Sequence, residues 1–577
     1  MQRRGYVVLV PALLYAAALA PQRARADDRS HAAAAVHCGE LSTDPRHGLA
    51  GNPAVKSATS QIIAASGVNA SFCQVDILFG TSPAQNINIR VGLPLNAADG
   101  GSGGVQGAWN ARTQGLGGGG CAGNLNVTPA VNTGYVGSGT DLGHTGGNCE
   151  PGVNPDGTYN LQFIQDFIRN AIKEQVLFSK RVADQYYGQR PAFNYWNGCS
   201  TGGRQGYLLA QELAGELDGI LASAPAMYWT RFQTAQMWGQ IAMKDLVGAP
   251  IAAAKLNQAT ASAVAACDAA DGVTDGIIDD PRTCTFSATA NICGAATAPA
   301  TNCLTAAEAD AIDRIWDGPR NADGNKVWFG LDRGTSIPAL NGTLPFFLGV
   351  TQFHWDEHDL AFDWHNVALA DYAGVAQDGS RNIADVTDTF GDLDAFRRSG
   401  GKLLTFVGGN DQLIFPRGVI NYYRVMAARY AHREGEFDDV QRFYRLFRAP
   451  GVGHCGGGAG PQPQNLFGAL VDWVERGATP HQILATTTVN GAVARSRPLC
   501  PYPQTAIYNG SGSTDDAASF HCGGNLEQPR VVCADVLTRF KHEASGHLDF
   551  AGSGVDRKTC ERHGHHDGHG DRDDDDR

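Results

Sequence analysis

Several things are scarce in this chain of 577 residues, and each scarcity removes a class of protein. No two cysteines stand in a C-x-x-C spacing, so the paired-cysteine signature of a structural zinc site is missing. No basic stripe runs along the sequence, and Lys+Arg (45) fall short of Asp+Glu (58), for a formal net charge of −13. That balance argues against a nucleic-acid partner. After the first 26 residues no segment is long and apolar enough to span a bilayer, which takes ~20 residues. Charged residues make up only 18% of the chain and methionines number 5, while glycines number 72, which points to a loop-rich globular surface rather than a repeat.

What is present begins with the N-terminus. Arg3 and Arg4 precede an apolar run from Tyr6 to Ala20, and Ala24-Arg25-Ala26 follows as a small-x-small cleavage signal. This reads as a signal peptide over 1–26, cleaved after Ala26, and predicts a secreted or periplasmic protein without a stable membrane anchor. The 14 cysteines, an even number, then suggest disulfides. Nearness in sequence pairs Cys38 with Cys73, Cys121 with Cys149, Cys267 with Cys284, Cys293 with Cys303, Cys500 with Cys522, and Cys533 with Cys560. Cys199 and Cys455 are left over. The stretch from 557 to 577, ending "HGHHDGHGDRDDDDR", has the composition of a solvated, disordered tail.

Strand-like runs alternate with helical spacings. "QNINIRVGLPL" (85–95) alternates apolar and polar residues, and Leu161, Ile164, Phe167, Ile168, Ile172 and Val176 fall on one helical face. "AFNYW" (192–196), "GKLLTFVGGND" (401–411) and "FYRLFRAPGVGHC" (443–455) read as buried strands running into loops, and "NLFGALVDWVERG" as a helix. The pattern predicts an α/β fold with a mostly parallel sheet covered on both faces. The alanine-rich, then Asp/Gly-rich, then aromatic stretch 229–385 breaks the rhythm and reads as an inserted domain. It divides the core into 27–228 and 386–556.

The chemistry concentrates at a few points. Gly198-Cys199-Ser200-Thr201-Gly202 satisfies G-x-S-x-G between a predicted strand and a predicted helix, the setting in which a turn exposes a nucleophilic serine. A base and an orienting carboxylate are then needed, in the order acid, then histidine. Asp411 and His454 stand at two later strand ends in that order. The oxyanion of acyl transfer needs backbone N–H donors. Thr201 offers one, and "GLGGGG" (115–120) offers Gly119 or Gly120 for the other. Cys199 precedes the candidate nucleophile and Cys455 follows the candidate base. A bridge between them would hold their neighbours close, since disulfide Cα atoms lie roughly 4.4–6.8 Å apart. The alternative, Cys199 as nucleophile, is disfavoured because a lone exported thiol tends to be oxidised.

A second constellation is "CDAADGVTDGIIDDPRTC" (267–284). Asp268, Asp271 and Asp275 supply hard carboxylate oxygens from one compact loop, and the Val273 and Ile277 carbonyls fall between and beyond them, a set suited to calcium. The loop resembles, without matching, an EF-hand loop.

With Cys199-Ser200, Asp411 and His454-Cys455 in place, the chain resembles the tannase and feruloyl esterase family. The resemblance covers nearly all of the mature chain through "NGCSTGGRQG", "ELDGILASAPA", "CDAADGVTDGIIDDP", "FRAPGVGHCGGG", "LVDWVERG" and "RPLCPYPQTAIYNGSGSTDDAASFHC". It implies an α/β-hydrolase core, a lid inserted between nucleophile and acid, and a structural calcium in the lid. It further implies Ser200 as nucleophile, His454 as base, Asp411 as its orienter and Cys199–Cys455 as the tying disulfide. Asp268, Asp271, Val273, Asp275 and Ile277 correspond to the calcium ligands. The implied substrates are small esters of aromatic acids: galloyl, hydroxycinnamoyl or, alternatively, terephthalate monoesters. A rival of another class is a non-catalytic calcium-dependent binding protein on the same scaffold. One departure is "VGGND" (407–411), where the family usually reads like "HGWAD". In the lid, Trp328, Phe353, Trp355 and Trp364 are candidates to stack on the acid ring.

Overall fold

The computed structural model describes residues 36–524, apart from 45–48, 102–107, 322–323, 384–386, 389–390 and 432–436. The predicted signal peptide, the predicted Cys533–Cys560 pair and the predicted tail lie outside the described residues.

The main sheet has nine strands in the spatial order β1-β2-β3-β5-β4-β6-β7-β8-β9. In chain order these are β1 (Val55–Ile63), β2 (Phe72–Phe79), β3 (Ile87–Pro94), β4 (Arg112–Leu116), β5 (Val136–Thr140), β6 (Phe193–Cys199), β7 (Gly219–Ser223), β8 (Lys402–Gly408) and β9 (Tyr444–Ala449). The pairings β1–β2, β2–β3 and β3–β5 are antiparallel, and all others are parallel. The sheet is thus mostly parallel, with an antiparallel flank. Parallel strands must be buried on both faces, because their crossover connections lie over them.

Successive residues of the central strands therefore enter different cores. Trp196, Ile220 and Leu403 join the core containing Ile172 and Val176 of helix α1 (Ala171–Tyr187) and Leu208 and Leu209 of helix α2 (Thr201–Glu212). Their neighbours Tyr195, Leu221 and Leu404 join the core containing Leu470 and Trp473 of helix α3 (Leu466–Arg476). Helix α1 ends on Gly188, whose φ of 63° is the left-handed cap that glycine adopts at little cost.

Between β7 and β8 the main sheet receives no strand among the described residues, and the chain from 224 to 401 is mainly helical. The 229–385 stretch lies within this insertion. Six disulfides join Cys38–Cys73, Cys121–Cys149, Cys199–Cys455, Cys267–Cys284, Cys293–Cys303 and Cys500–Cys522, and no described cysteine is free. No helix among the described residues is long and apolar enough to cross a membrane.

Candidate active site

Strand β6 runs directly into Ser200, and α2 begins at the next residue. Ser200 has φ 62° and ψ −124°, a conformation rarely tolerated outside glycine and held only when the surroundings over-determine it. Here they do. The Ser200 N–H donates to the Ser223 carbonyl (3.0 Å), and its own carbonyl accepts from Arg204 and Ala226 (both 3.1 Å). The turn is tight enough that a Cβ on Gly198 would come within 2.4 Å of the Gly202 carbonyl group.

Asp411 and His454 follow β8 and β9, so both lie with Ser200 at the C-terminal edge of the parallel strands. Asp411 is fully buried. One carboxylate oxygen accepts the N–H groups of Leu413 (2.8 Å) and Ile414 (3.0 Å), and the other lies 2.9 Å from His454 Nδ1. A carboxylate can only accept, so Nδ1 carries a proton, and in the neutral imidazole Nε2 keeps its lone pair. The His454 backbone N–H donates to Gln412 Oε1 (3.2 Å), which sequence reasoning did not pick out. Cys199 and Cys455 are bonded, with Cα atoms 6.0 Å apart, and so tie the serine turn to the histidine loop.

The glycine-rich loop after β4 lies against the start of α2. Thr201 Oγ1 donates to the Gly120 carbonyl (2.6 Å), the Gly202 N–H to the Gly118 carbonyl (2.8 Å), and the Gly118 N–H to Gln205 Oε1 (3.1 Å). Of the two glycines named as donors, Gly119 is corrected out. Its N–H is engaged by the Ala122 carbonyl at 3.0 Å, in a small bridge that closes the loop. The N–H groups of Gly120 and Thr201 have no acceptor among the described residues. Gln205, which pins the loop, is one more residue that the sequence did not flag; its place on the first turns of α2 was the available signal.

In the acidic loop, the Asp268 carboxylate accepts N–H groups from Asp275 (3.1 Å), Gly276 (2.9 Å) and Ile277 (3.2 Å). Asp275 is also salt-bridged to Arg497 at 2.7 Å. Half-buried Asp279, not anticipated from sequence, meets Asp271. Burial and the charge of Asp271 push its carboxyl up to about 7, and burial likewise raises Asp271. Among the described residues no three acidic side chains gather closely enough to hold an ion by themselves. The carbonyls of Val273 and Ile277, both buried residues, have no hydrogen-bond donor among the described residues. The crowded pair of Asp271 and Asp279, beside two unpaired carbonyls, is the part of the loop that suits a hard divalent cation.

Of the aromatic candidates, most take the place of plain core, the alternative reading for each of them. Trp328, Phe353 and Trp355 are 0–1% exposed and pack inside the protein. Trp355 donates its indole N–H to the Cys149 carbonyl (3.0 Å), Trp328 lies against Tyr228, Phe329 and Gly418, and Phe353 against Phe362. Large rings fill the interior of the insertion here, and the sequence cannot distinguish that from lining a pocket. Trp364 is half-buried and stacks on His365 at 3.9 Å.

Fold and site together define an α/β-hydrolase with Ser200, Asp411 and His454 in chain order at the sheet's C-terminal edge. The model of the family "Tannase and feruloyl esterase" matches residues 105–523. A probable feruloyl esterase of Arthroderma benhamiae is 35% identical over 445 residues, spanning 72% of this chain and 80% of that protein. Feruloyl esterase B of Aspergillus niger is 29% identical, spanning 78% of this chain and 86% of that protein. Among solved structures, feruloyl esterase B from Aspergillus oryzae aligns with a TM-score of 0.69 at 24% identity, over 81% of this chain and 96% of its own. Its fold is the same. The chain belongs to the tannase and feruloyl esterase family, whose members are carboxylic ester hydrolases.

Proposed function

We propose that this protein is an exported serine esterase that hydrolyses esters of aromatic carboxylic acids, with Ser200 as nucleophile, His454 as base and Asp411 as its orienter. The carrying observation is the 2.9 Å contact of Asp411 with His454 Nδ1 on a loop covalently tied beside Ser200. Export is supported by six disulfides, and the aromatic acid by the names of the relatives.

In this reading Nε2 of His454 takes the Ser200 proton as the hydroxyl oxygen bonds to the ester carbonyl carbon. The carbonyl oxygen becomes an oxyanion, received by the N–H groups of Thr201 and Gly120. The intermediate collapses, the alcohol leaves with the proton from His454, and the acid stays on Ser200 as an ester. Water, deprotonated by His454, then attacks that ester. The acid departs and Ser200 regains its proton.

Calcium belongs to the same proposal, held by the carboxylates of Asp268, Asp271 and Asp275 and the carbonyls of Val273 and Ile277. When bound it supplies charge neutralisation that fixes the loop, and it takes no part in the reaction.

The test is hydrolysis of methyl gallate, methyl ferulate, chlorogenate and a terephthalate monoester by the protein and by Ser200→Ala. The expected result is turnover of at least one ester, with loss of about a million-fold in kcat in the variant. Undiminished turnover by Ser200→Ala would refute the role of this serine.

A further inference from the structure

Trp328, Phe353 and Trp355 are internal, which leaves other parts of the lid to face a substrate. Lid helix Phe347–Asp356 begins over the glycine-rich loop: a Cβ built on Gly120 would lie 3.8 Å from Leu348 Cδ1. Leu348 is itself 6% exposed, whereas its chain neighbour Phe347 is 53% exposed and Leu344, before the helix, is 80% exposed. Exposed apolar side chains on the same segment as Leu348 suit an apolar ligand.

The helix is fixed relative to that loop. Glu150 accepts Thr351 Oγ1 (2.9 Å) and contacts His354 Nδ1 (2.8 Å), and Trp355 donates to the Cys149 carbonyl (3.0 Å). Cys149 is bonded to Cys121, the residue after Gly120. The position of Leu348 above Gly120 is therefore built in rather than incidental.

Sheet order decides which half of an ester Leu348 meets. The loop after β4 lies on one side of β6 and Ser200, while β8 and β9, which carry Asp411 and His454, lie on the other. The departing alcohol must stand at His454 to receive its proton. The acid remains on Ser200 and is left the side of Gly120. We propose that Leu348 is the wall of the acyl pocket and sets the width of the acid accepted. This rests on the assignment of Ser200 as nucleophile.

The experiment compares the intact protein with Leu348→Ala and Leu348→Trp by kcat/KM in two series: methyl esters of acids of increasing ring substitution, and ferulate esters of increasing alcohol size. Leu348→Trp is expected to lower the ratio of the widest to the narrowest acid by roughly tenfold or more, and Leu348→Ala to raise it, with the alcohol series unchanged. Leu348→Val, one carbon smaller, reads the same ratio where a larger change fails to fold. Ratios that move less than about twofold, or that follow the alcohol instead, would overturn the proposal. A protein that cleaves aliphatic esters and no aromatic one refutes the aromatic-acid reading alone, and the same ratio is then read from acetate to hexanoate.

Discussion

Cys199 and Cys455 are joined by a disulfide across 256 residues of sequence, and their chain neighbours are Ser200 on one side and His454 on the other. The bond spans the whole insertion and fastens the β6 turn to the β9 loop. A loop of that length carries a chain-entropy contribution of about 5 kcal/mol, as an upper figure. Replacing both cysteines by Ala should lower the unfolding free energy by up to that amount and reduce kcat at temperatures where the protein is still folded. Circular dichroism melts beside ester kinetics separate the two effects. Full activity in a folded double variant would show that the bridge does not position the serine.

Asp411 is fully buried and holds the Nδ1–H of His454, so its substitution should act through the imidazole tautomer rather than through binding. Asp411→Asn is expected to lower kcat by roughly 10⁴ with little change in KM. A loss confined to KM would place the residue in substrate binding.

For the proposed calcium loop, chelation should lower the melting temperature and excess calcium restore it. Saturation at a hundredfold Kd corresponds to about 2.7 kcal/mol. Asp271→Asn should blunt the calcium response. If melting is indifferent to chelation, then Asp271 and Asp279 settle their repulsion by sharing a proton, and no ion is needed.

Glu475 anchors α3 beneath the site strands. Arg112 of β4 meets it through two hydrogen bonds of 2.6 Å, and the Tyr195 hydroxyl of β6 donates at 2.7 Å. Burial alone would raise this carboxyl, but the bonds from Arg112 and Tyr195 outweigh it and hold it below the ordinary glutamate range. A depressed folded value means the stabilisation is complete above the ordinary range and fades as pH falls through the folded one. Glu475→Gln should therefore cost about 1–3 kcal/mol at neutral pH, a gap that closes in acid. Urea unfolding at several pH values measures it, and a gap independent of pH would contradict the assignment.

The parts of the site that sit next to a strand end were legible in the sequence, because a buried apolar run followed by a glycine turn marks where side chains emerge. Ser200, Asp411 and His454 all belong to this kind. Gln412 and Asp279 act through hydrogen bonds or charge contacts settled only once the chain has folded, and Gln205, although it stands on the first turns of α2, shows its partner only then. Leu348 lies 228 residues from Gly120 in sequence, and no periodicity links the two. Whether the lid aromatics meet a core or a ligand was not legible for a related reason: a large ring is apolar in either setting. Strand β1 was passed over because its alternation is weak, and most of its side chains stay at least partly exposed.

The central claim is that the acid is carried on Ser200. Rapid mixing with an aromatic methyl ester, acid quench and peptide mapping by mass spectrometry test it directly. The account predicts an adduct of the acid less one water on the peptide containing Ser200, absent from Ser200→Ala. An adduct on another residue, or steady turnover by Ser200→Ala, would contradict it.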